Sequence, residues 1–123
     1  MESINDKKWM DFKSEVKEGR FPETKYNYAL VLFRIKGSIA GKDVTIAISP
    51  AENKNYIKPK IANQLVFSKS NIIEKRDCYD NKIYDITNLQ LNIRDYTFIS
   101  RFSVQTLWSD QGDIIFVHPR WEP

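Results

Sequence analysis

The chain contains a single histidine, His118, which lies between an apolar run and Pro119 near the C-terminal end. A histidine that acts as a general base must reach a nucleophile and is usually oriented by a third group. No second histidine is present to complete an acid–base pair. A histidine at the end of a predicted strand more often bonds a backbone carbonyl group. We therefore interpret His118 as a structural residue and expect no catalytic role for it.

Cysteine and aspartate also give no pattern that predicts a metal site. The single cysteine, Cys78, excludes an internal disulfide and is compatible with a reducing compartment such as the cytoplasm. The spacings C-x-x-C, H-x-H and H-E-x-x-H, which are typical of zinc sites, do not occur. Asp77, Asp80 and Asp85 lie close together in the sequence, but the glycine and terminal glutamate of a calcium loop are missing. We interpret these aspartates as turn and solvent-exposed residues and predict no metal ion.

The glycines give no phosphate-binding motif. They occur singly, at positions 19, 37, 41 and 112, so the sequence contains neither a Walker loop nor a dinucleotide-binding fingerprint. A G-x-S-x-G nucleophile motif is also missing. These absences remove most enzyme classes that work through histidine, cysteine or a bound nucleotide. The sequence therefore predicts no cofactor, no catalytic residue and a protein that is not an enzyme.

Basic residues are concentrated in the middle of the chain. Residues 50–76 hold six Lys and Arg residues against two Glu residues, a net charge of +4, whereas the whole chain carries +3. Part of this segment, PAENKNYIKPK, contains two prolines and reads as a long surface loop. Its lysines would speed the encounter with an acidic surface, and its tyrosine would anchor the contact. We predict that this loop binds a protein partner through Lys54, Tyr56, Lys58 and Lys60.

A second possible surface combines arginines with aromatic residues. Arg94 and Arg101 alternate along the chain with Tyr96, Phe98 and Phe102. Exposed aromatic rings within a basic surround are typical of sheets that bind single-stranded nucleic acids. However, these aromatic residues fall on the face that the period-two pattern assigns to the core. Nucleic acid is therefore an alternative partner rather than the first prediction.

The elements that position these residues begin with a predicted helix over residues 4–18. Trp9, Phe12 and Val16 recur at helical spacing and form one apolar stripe. Gly19 can end this helix, and Pro22 prevents its continuation. We expect the stripe to pack on a sheet.

Beyond residue 26 the apolar residues alternate with a period of two, which predicts strands. The clearest feature is a hairpin in which AGKD forms the turn. Further strands are predicted in the segments QLVFSKS, IIEKRDCY, KIYDITNLQLNI, YTFISRFSVQTLW and IIFVH. Asp80 and Asn81 are expected to form a tight turn between two of them.

Length and pattern together predict one domain covering residues 1–123, with a β-rich body over residues 26–118. The predicted fold class is α+β, in which the N-terminal helix packs on a curved, mostly antiparallel sheet or half-open barrel of six to seven strands. The expected core consists of Trp9, Phe12, Val31, Phe33, Ile35, Val44, Ile46, Phe98, Phe102 and Trp108.

The functional class follows by analogy with small proteins that carry no catalytic motif. We predict a cytoplasmic binding protein of a bacterium or phage, of the immunity, antitoxin or anti-defence inhibitor type. Its partner would be a protein with an acidic surface, such as a toxin or a defence enzyme. A single-stranded nucleic-acid-binding module and a small-ligand-binding domain are the alternatives. No stretch approaches the 18 apolar residues of a membrane span, so no membrane partner is expected.

Overall fold

In a computed structural model of the chain, residues 10, 12, 14, 33–49, 54–76, 78–105 and 112–117 are described. They form seven strands, one short α-helix and one 3-10 turn. The elements are β1 (Phe33–Ile39), β2 (Lys42–Ile48), β3 (Asn55–Ile57), α1 (Pro59–Gln64), the 3-10 turn Lys69–Asn71, β4 (Ile72–Arg76), β5 (Lys82–Ile93), β6 (Tyr96–Val104) and β7 (Ile114–Phe116).

The strands form one sheet in the order β1-β2-β7-β3-β6-β5-β4. An additional pairing between β1 and β5 closes six of the strands into a barrel, and β4 extends from β5. Most neighbours are antiparallel, but β2 runs parallel to β7 and β3 runs parallel to β6. The barrel therefore contains two parallel pairs within an otherwise antiparallel sheet.

The β1–β2 hairpin is formed as the sequence predicts. Ile35 pairs with Ile46, and the turn residues Ala40 and Gly41 have φ values of 47° and 83°. Two successive residues in the left-handed region match the right-handed twist of a two-residue hairpin. The alternation of apolar residues and the glycine in the turn thus determine this register locally.

Closure of the barrel depends on Gly37. A Cβ atom at this position would lie 2.5 Å from the backbone oxygen of Asn92 and 2.6 Å from Cδ1 of Ile46. The neighbouring residue Ser38 pairs with Asn92, so β1 and β5 approach each other at this point. A residue without a side chain is needed where two backbones come so close.

The core lies inside the barrel and draws residues from almost every strand. Its fully buried side chains include Ile39, Ile46, Ile57, Tyr84, Ile86, Leu91, Phe102 and Phe116. Of the predicted core residues, Phe12, Val44, Ile46 and Phe102 are confirmed as buried, whereas Ile35 and Phe98 are partly buried. Trp9, Val31, Trp108 and the side chain of Phe33 lie outside the described part of the chain.

The predicted α+β class is wrong, because the described residues are mostly strands that form a closed β-barrel, and the one complete α-helix among them has six residues. Met10, Phe12 and Ser14 have helical backbone, and the Phe12 ring packs edge-on against Tyr84 with ring centroids 5.4 Å apart. The remainder of the helix predicted over residues 4–18 lies outside the described residues. The sheet closes on itself through β1 and β5, a pairing between distant segments that alternation of apolar residues cannot show.

Two local predictions are also wrong. The segment predicted as a long loop contains β3 and the start of α1. Pro59 takes the first helical position, where a missing N–H group costs nothing. The strand predicted in QLVFSKS is missing, since residues 65–68 are irregular and the 3-10 turn follows them. Among the described residues, no helix is long and apolar enough to cross a membrane.

Candidate functional site

A polar groove lies on the outer face of the barrel, across β3, β4, β5 and β6. It encloses about 490 Å³. We call it the Asp85 groove and define it by its lining residues, which are Lys54, Asn55, Lys75, Asp85, Ser100, Arg101, Ser103 and Val117.

Strand alternation places the charged side chains of the groove on one face. In β5, Tyr84 and Ile86 belong to the core, so Asp85 between them faces outward. Asp85 pairs with Ser103 of β6, and Arg101 lies two residues earlier on the same strand face. The other neighbour of Asp85, in β4, is Ile73, and Lys75 lies two residues beyond it. Three adjacent strands therefore bring Lys75, Asp85 and Arg101 together.

The carboxylate of Asp85 holds both cations through one oxygen. Its Oδ2 atom accepts a hydrogen bond from Nε of Arg101 at 2.6 Å and lies 2.9 Å from Nζ of Lys75. The Asp85 side chain is only 5% exposed, whereas those of Lys75 and Arg101 are 29% and 50% exposed. The Oδ1 atom of Asp85 is buried and has no hydrogen-bond partner in the part of the chain that the structure describes. The cluster is thus a buried anion beneath two partly exposed cations.

Asn55 fixes one wall of the groove. Its Nδ2 atom donates to the backbone oxygen of Arg101 at 3.1 Å, and its Oδ1 atom accepts from the backbone N–H group of Val117 at 2.8 Å. One side chain therefore joins β6 to the chain directly after β7. These bonds hold the wall at a fixed distance from the Asp85 cluster.

The groove has a positive electrostatic balance. Lys54, Lys75 and Arg101 supply three positive charges, and Asp85 supplies the only negative charge among its described lining residues. Cationic side chains in a concave surface attract anionic ligands and raise their local concentration. The arrangement therefore favours a ligand that carries carboxylate or phosphate groups.

A second polar cleft, which we call the Arg94 cleft, encloses about 610 Å³ and includes Lys36, Asp43, Asn92, Arg94 and Asp113 in its lining. Its two cations face two carboxylates, so its charges balance. Its polar groups also bond to one another: Oδ2 of Asp113 accepts from the backbone N–H of Thr45 at 2.9 Å. This cleft is larger than the Asp85 groove. Because its charges balance, it attracts a charged ligand less strongly than the Asp85 groove does.

The residues predicted to bind a partner are separated by the structure. Lys54 is exposed and lines the Asp85 groove. Tyr56 lies in β3 and is 9% exposed, so its ring is not available as the exposed anchor that the sequence suggested. β3 lies between β6 and β7, so Tyr56 has Ser103 and Ile115 as its strand neighbours, and both of these are buried. Lys58 precedes α1, and the exposed Lys60 lies within it.

The two arginines of the predicted second surface lie in different clefts. Arg101 lines the Asp85 groove, whereas Arg94 occupies the turn between β5 and β6 and lines the Arg94 cleft. Arg94 has a φ value of 54°, a conformation that the tight turn imposes. The structure therefore brings Arg101 together with Lys54, and it does not bring Arg101 together with Arg94.

Sequence reasoning missed Lys75, Asp85 and Asn55. Asp85 was interpreted as a turn or solvent-exposed residue, which is wrong, because it lies within β5 and is 3% exposed. The signal that could have found it is a charged residue inside the apolar segment KIYDIT. Among the described residues no group of three His, Cys, Asp or Glu side chains could hold a metal ion. His118 lies outside the described part of the chain.

Comparison with known proteins identifies the fold. The sequence matches no protein-family model and no curated protein. The structure is similar to that of a retropepsin-like aspartic protease from Rickettsia conorii, with a TM-score of 0.51 and 16% sequence identity. The similarity covers 79% of this chain and 71% of the protease chain. At this level of identity the likeness shows the fold alone.

This likeness corrects one further expectation. The absence of familiar catalytic motifs predicted that the protein is not an enzyme. That prediction is contradicted, because the barrel resembles one on which an enzyme is built.

Proposed function

We propose that the protein binds an acidic segment of another protein in the Asp85 groove. The observation that carries this proposal is the convergence of Lys54, Lys75 and Arg101 on one groove whose described lining contains a single carboxylate. These cations come from three separate parts of the chain, so their meeting is a property of the fold rather than of a local basic run. An acidic segment would pair with them and gain affinity through charge complementarity.

The ligand class is supported by the fold and by the shape of the groove. The Rickettsia protein is a protease, which by its chemistry acts on polypeptide chains. A volume of about 490 Å³ holds a few residues of an extended segment. Such a segment offers carbonyl oxygens and carboxylates to cations, and N–H groups to acceptors. The groove contains both kinds of partner.

Nucleic acid would also be attracted by the positive charge, but it fits the groove less well. Proteins that bind single strands combine cations with aromatic rings on which the bases stack. The described lining of the Asp85 groove contains no aromatic residue. An acidic polypeptide is therefore the better match to its chemistry.

The proposal is tested with acetyl-hexaglutamate dimethylamide as probe, titrated into the protein in a calorimeter at low salt. Lys54→Glu replaces an attractive charge at the groove with a repulsive one, and we expect its Kd to rise about tenfold. Lys60→Glu is the matched control, because Lys60 is also exposed but lies in α1 outside the groove. Both variants change the net charge of the protein equally, which weakens the binding of an anionic probe by the same factor. Apart from this shared loss, the Kd of Lys60→Glu should stay within about twofold of the wild-type value.

Equal losses in the two variants would refute the proposal, since they would reflect net charge alone. Tighter binding of a hexanucleotide than of hexaglutamate, with the same dependence on Lys54, would assign the groove to nucleic acid instead. Absence of binding of the probe by the wild-type protein would also refute it.

Peptide-bond hydrolysis is a second candidate, and the fold likeness is the observation that favours it. Aspartic proteases use two carboxylates that share one proton. In the described part of the chain the partners of Asp85 are the cations Lys75 and Arg101, so a reacting pair would need a carboxylate from elsewhere. Mass spectrometry of a heat-denatured protein incubated with this chain tests the candidate. Fragments that vanish with Asp85→Asn would place hydrolysis in the groove, and absence of fragments would reject it.

A further inference from the structure

The Asp85 groove contains a hydrogen-bond acceptor that has no donor among the described residues. Both cations bind Oδ2 of Asp85, and the buried Oδ1 atom of the same carboxylate is not bonded by any described group. The side chain is 95% removed from solvent, since it is 5% exposed. A buried charged oxygen without a donor is costly, and such groups are rare in folded proteins. Because Asp85 lines the groove, a ligand there can supply the missing bond.

The charges around Asp85 decide which kind of donor fits. Lys54, Lys75 and Arg101 already place three positive charges at the groove, so a lysine or arginine of the ligand would be repelled. A neutral donor avoids this repulsion. The backbone N–H group of an extended peptide is neutral, and it lies within a few ångströms of the carbonyl and carboxylate groups that the cations attract.

We propose that Oδ1 of Asp85 accepts a hydrogen bond from a backbone N–H group of the bound polypeptide, so that Asp85 recognises the peptide backbone while the cations recognise its acidic side chains. This inference rests on the proposed polypeptide-binding function and extends it. Asp85 is then a recognition residue and not merely the counter-ion of Lys75 and Arg101.

Because Oδ1 is buried, a ligand reaches it only when neighbouring side chains move, and Lys75 and Arg101 are the long side chains that contact Asp85. The Arg101 side chain is half exposed and that of Lys75 is nearly a third exposed. Rotamer changes of such side chains take picoseconds to nanoseconds. When it moves, each cation can replace part of its ion pair with Asp85 by an ion pair with a carboxylate of the ligand. Little charge pairing is therefore lost.

The experiment compares two probes of equal charge. One is acetyl-hexaglutamate dimethylamide, and the other is the same peptide methylated on all six backbone nitrogens, which removes every backbone N–H donor. We expect wild-type protein to bind the methylated probe at least about tenfold more weakly, since a hydrogen bond to a charged group is lost. In Asp85→Asn the amide oxygen stays beside Lys75 and Arg101 and the NH2 group takes the place of Oδ1, so the acceptor is lost and this ratio should fall to about twofold or less. Charge effects and the altered conformation of the methylated probe are common to both proteins and cancel in the comparison.

An unchanged ratio in Asp85→Asn would overturn the inference, even if both proteins bind hexaglutamate well. Failure of wild-type protein to bind either probe would instead refute the proposed function, so the two failures are distinguishable. If Asp85→Asn does not fold, amide hydrogen exchange of the bound hexaglutamate on wild-type protein replaces it. Selective protection of one or two peptide N–H groups supports the inference, and uniform exchange at the free-peptide rate contradicts it.

Discussion

The two faces of β5 and β6 differ in what their buried residues gain from burial. On the inner face, Ile86 and Phe102 are opposite each other and fully buried among apolar side chains. On the outer face, the next pair along the strands, Asp85 and Ser103, is also buried but polar. Burial of the inner pair stabilises the fold through the hydrophobic effect. Burial of the outer pair costs solvation free energy and leaves Oδ1 of Asp85 without a hydrogen-bond donor among the described residues. Buried polar groups of this kind are typical of ligand-binding sites.

Burial alone therefore does not distinguish a core from a ligand-binding site. Both pairs would be counted as interior residues, yet only the outer pair has polar atoms that a ligand could satisfy. Strands that alternate in this way let one sheet carry a stable interior and a recognition surface at adjacent positions.

The largest effect is expected on the inner face. Phe102→Ala removes a fully buried ring and should lower the free energy of unfolding by about 3–5 kcal/mol. Ile99→Ala, on the same strand, is the matched control, because Ile99 is 67% exposed and its loss should change stability by no more than about 0.5 kcal/mol. Urea unfolding followed by circular dichroism measures both. A loss below about 1 kcal/mol for Phe102→Ala would contradict the assignment of the inner face as the core.

A smaller effect is expected on the outer face. Asp85→Asn keeps the size of the side chain but removes the charge that holds Lys75 and Arg101. Because these cations are partly exposed and can return to water, we expect a loss of about 1–2 kcal/mol in the same unfolding experiment. A loss as large as that of Phe102→Ala would show that the cluster is mainly structural. The outer face would then stabilise the fold as much as the inner face does.

Local features of the barrel were predictable from the sequence, and long-range ones were not. The β1–β2 hairpin could be predicted because its apolar alternation and its turn at Ala40 and Gly41 are both local signals. By contrast, β3 has three residues and is held by β6 and β7, whose segments lie far along the chain. Closure between β1 and β5 joins Ser38 to Asn92, 54 residues apart. No short-range pattern reports such pairings.

The candidate site shows the same limit. Lys54 and Arg101 were found as basic residues, but their meeting in one groove depends on the packing of β3 against β6. The burial of Asp85 depends on Lys75 and Arg101, and Arg101 lies 16 residues away in the sequence. The burial of Tyr56 could not be foreseen for the same reason, since its strand neighbours Ser103 and Ile115 are distant in the sequence. The type of each residue can be read from the sequence, but the residues that surround it in the fold cannot.

The claim that the Asp85 groove is the ligand site is tested most directly by ¹⁵N-labelled protein titrated with acetyl-hexaglutamate dimethylamide and followed by two-dimensional NMR. We expect the largest shifts in the described part of the chain to fall on residues of the groove, including Lys75, Asp85 and Arg101. We expect Arg94 and Lys36, in the Arg94 cleft, to shift little. Shifts centred on the Arg94 cleft, or a uniform small response over all exposed basic residues, would contradict the claim that the Asp85 groove is the ligand site.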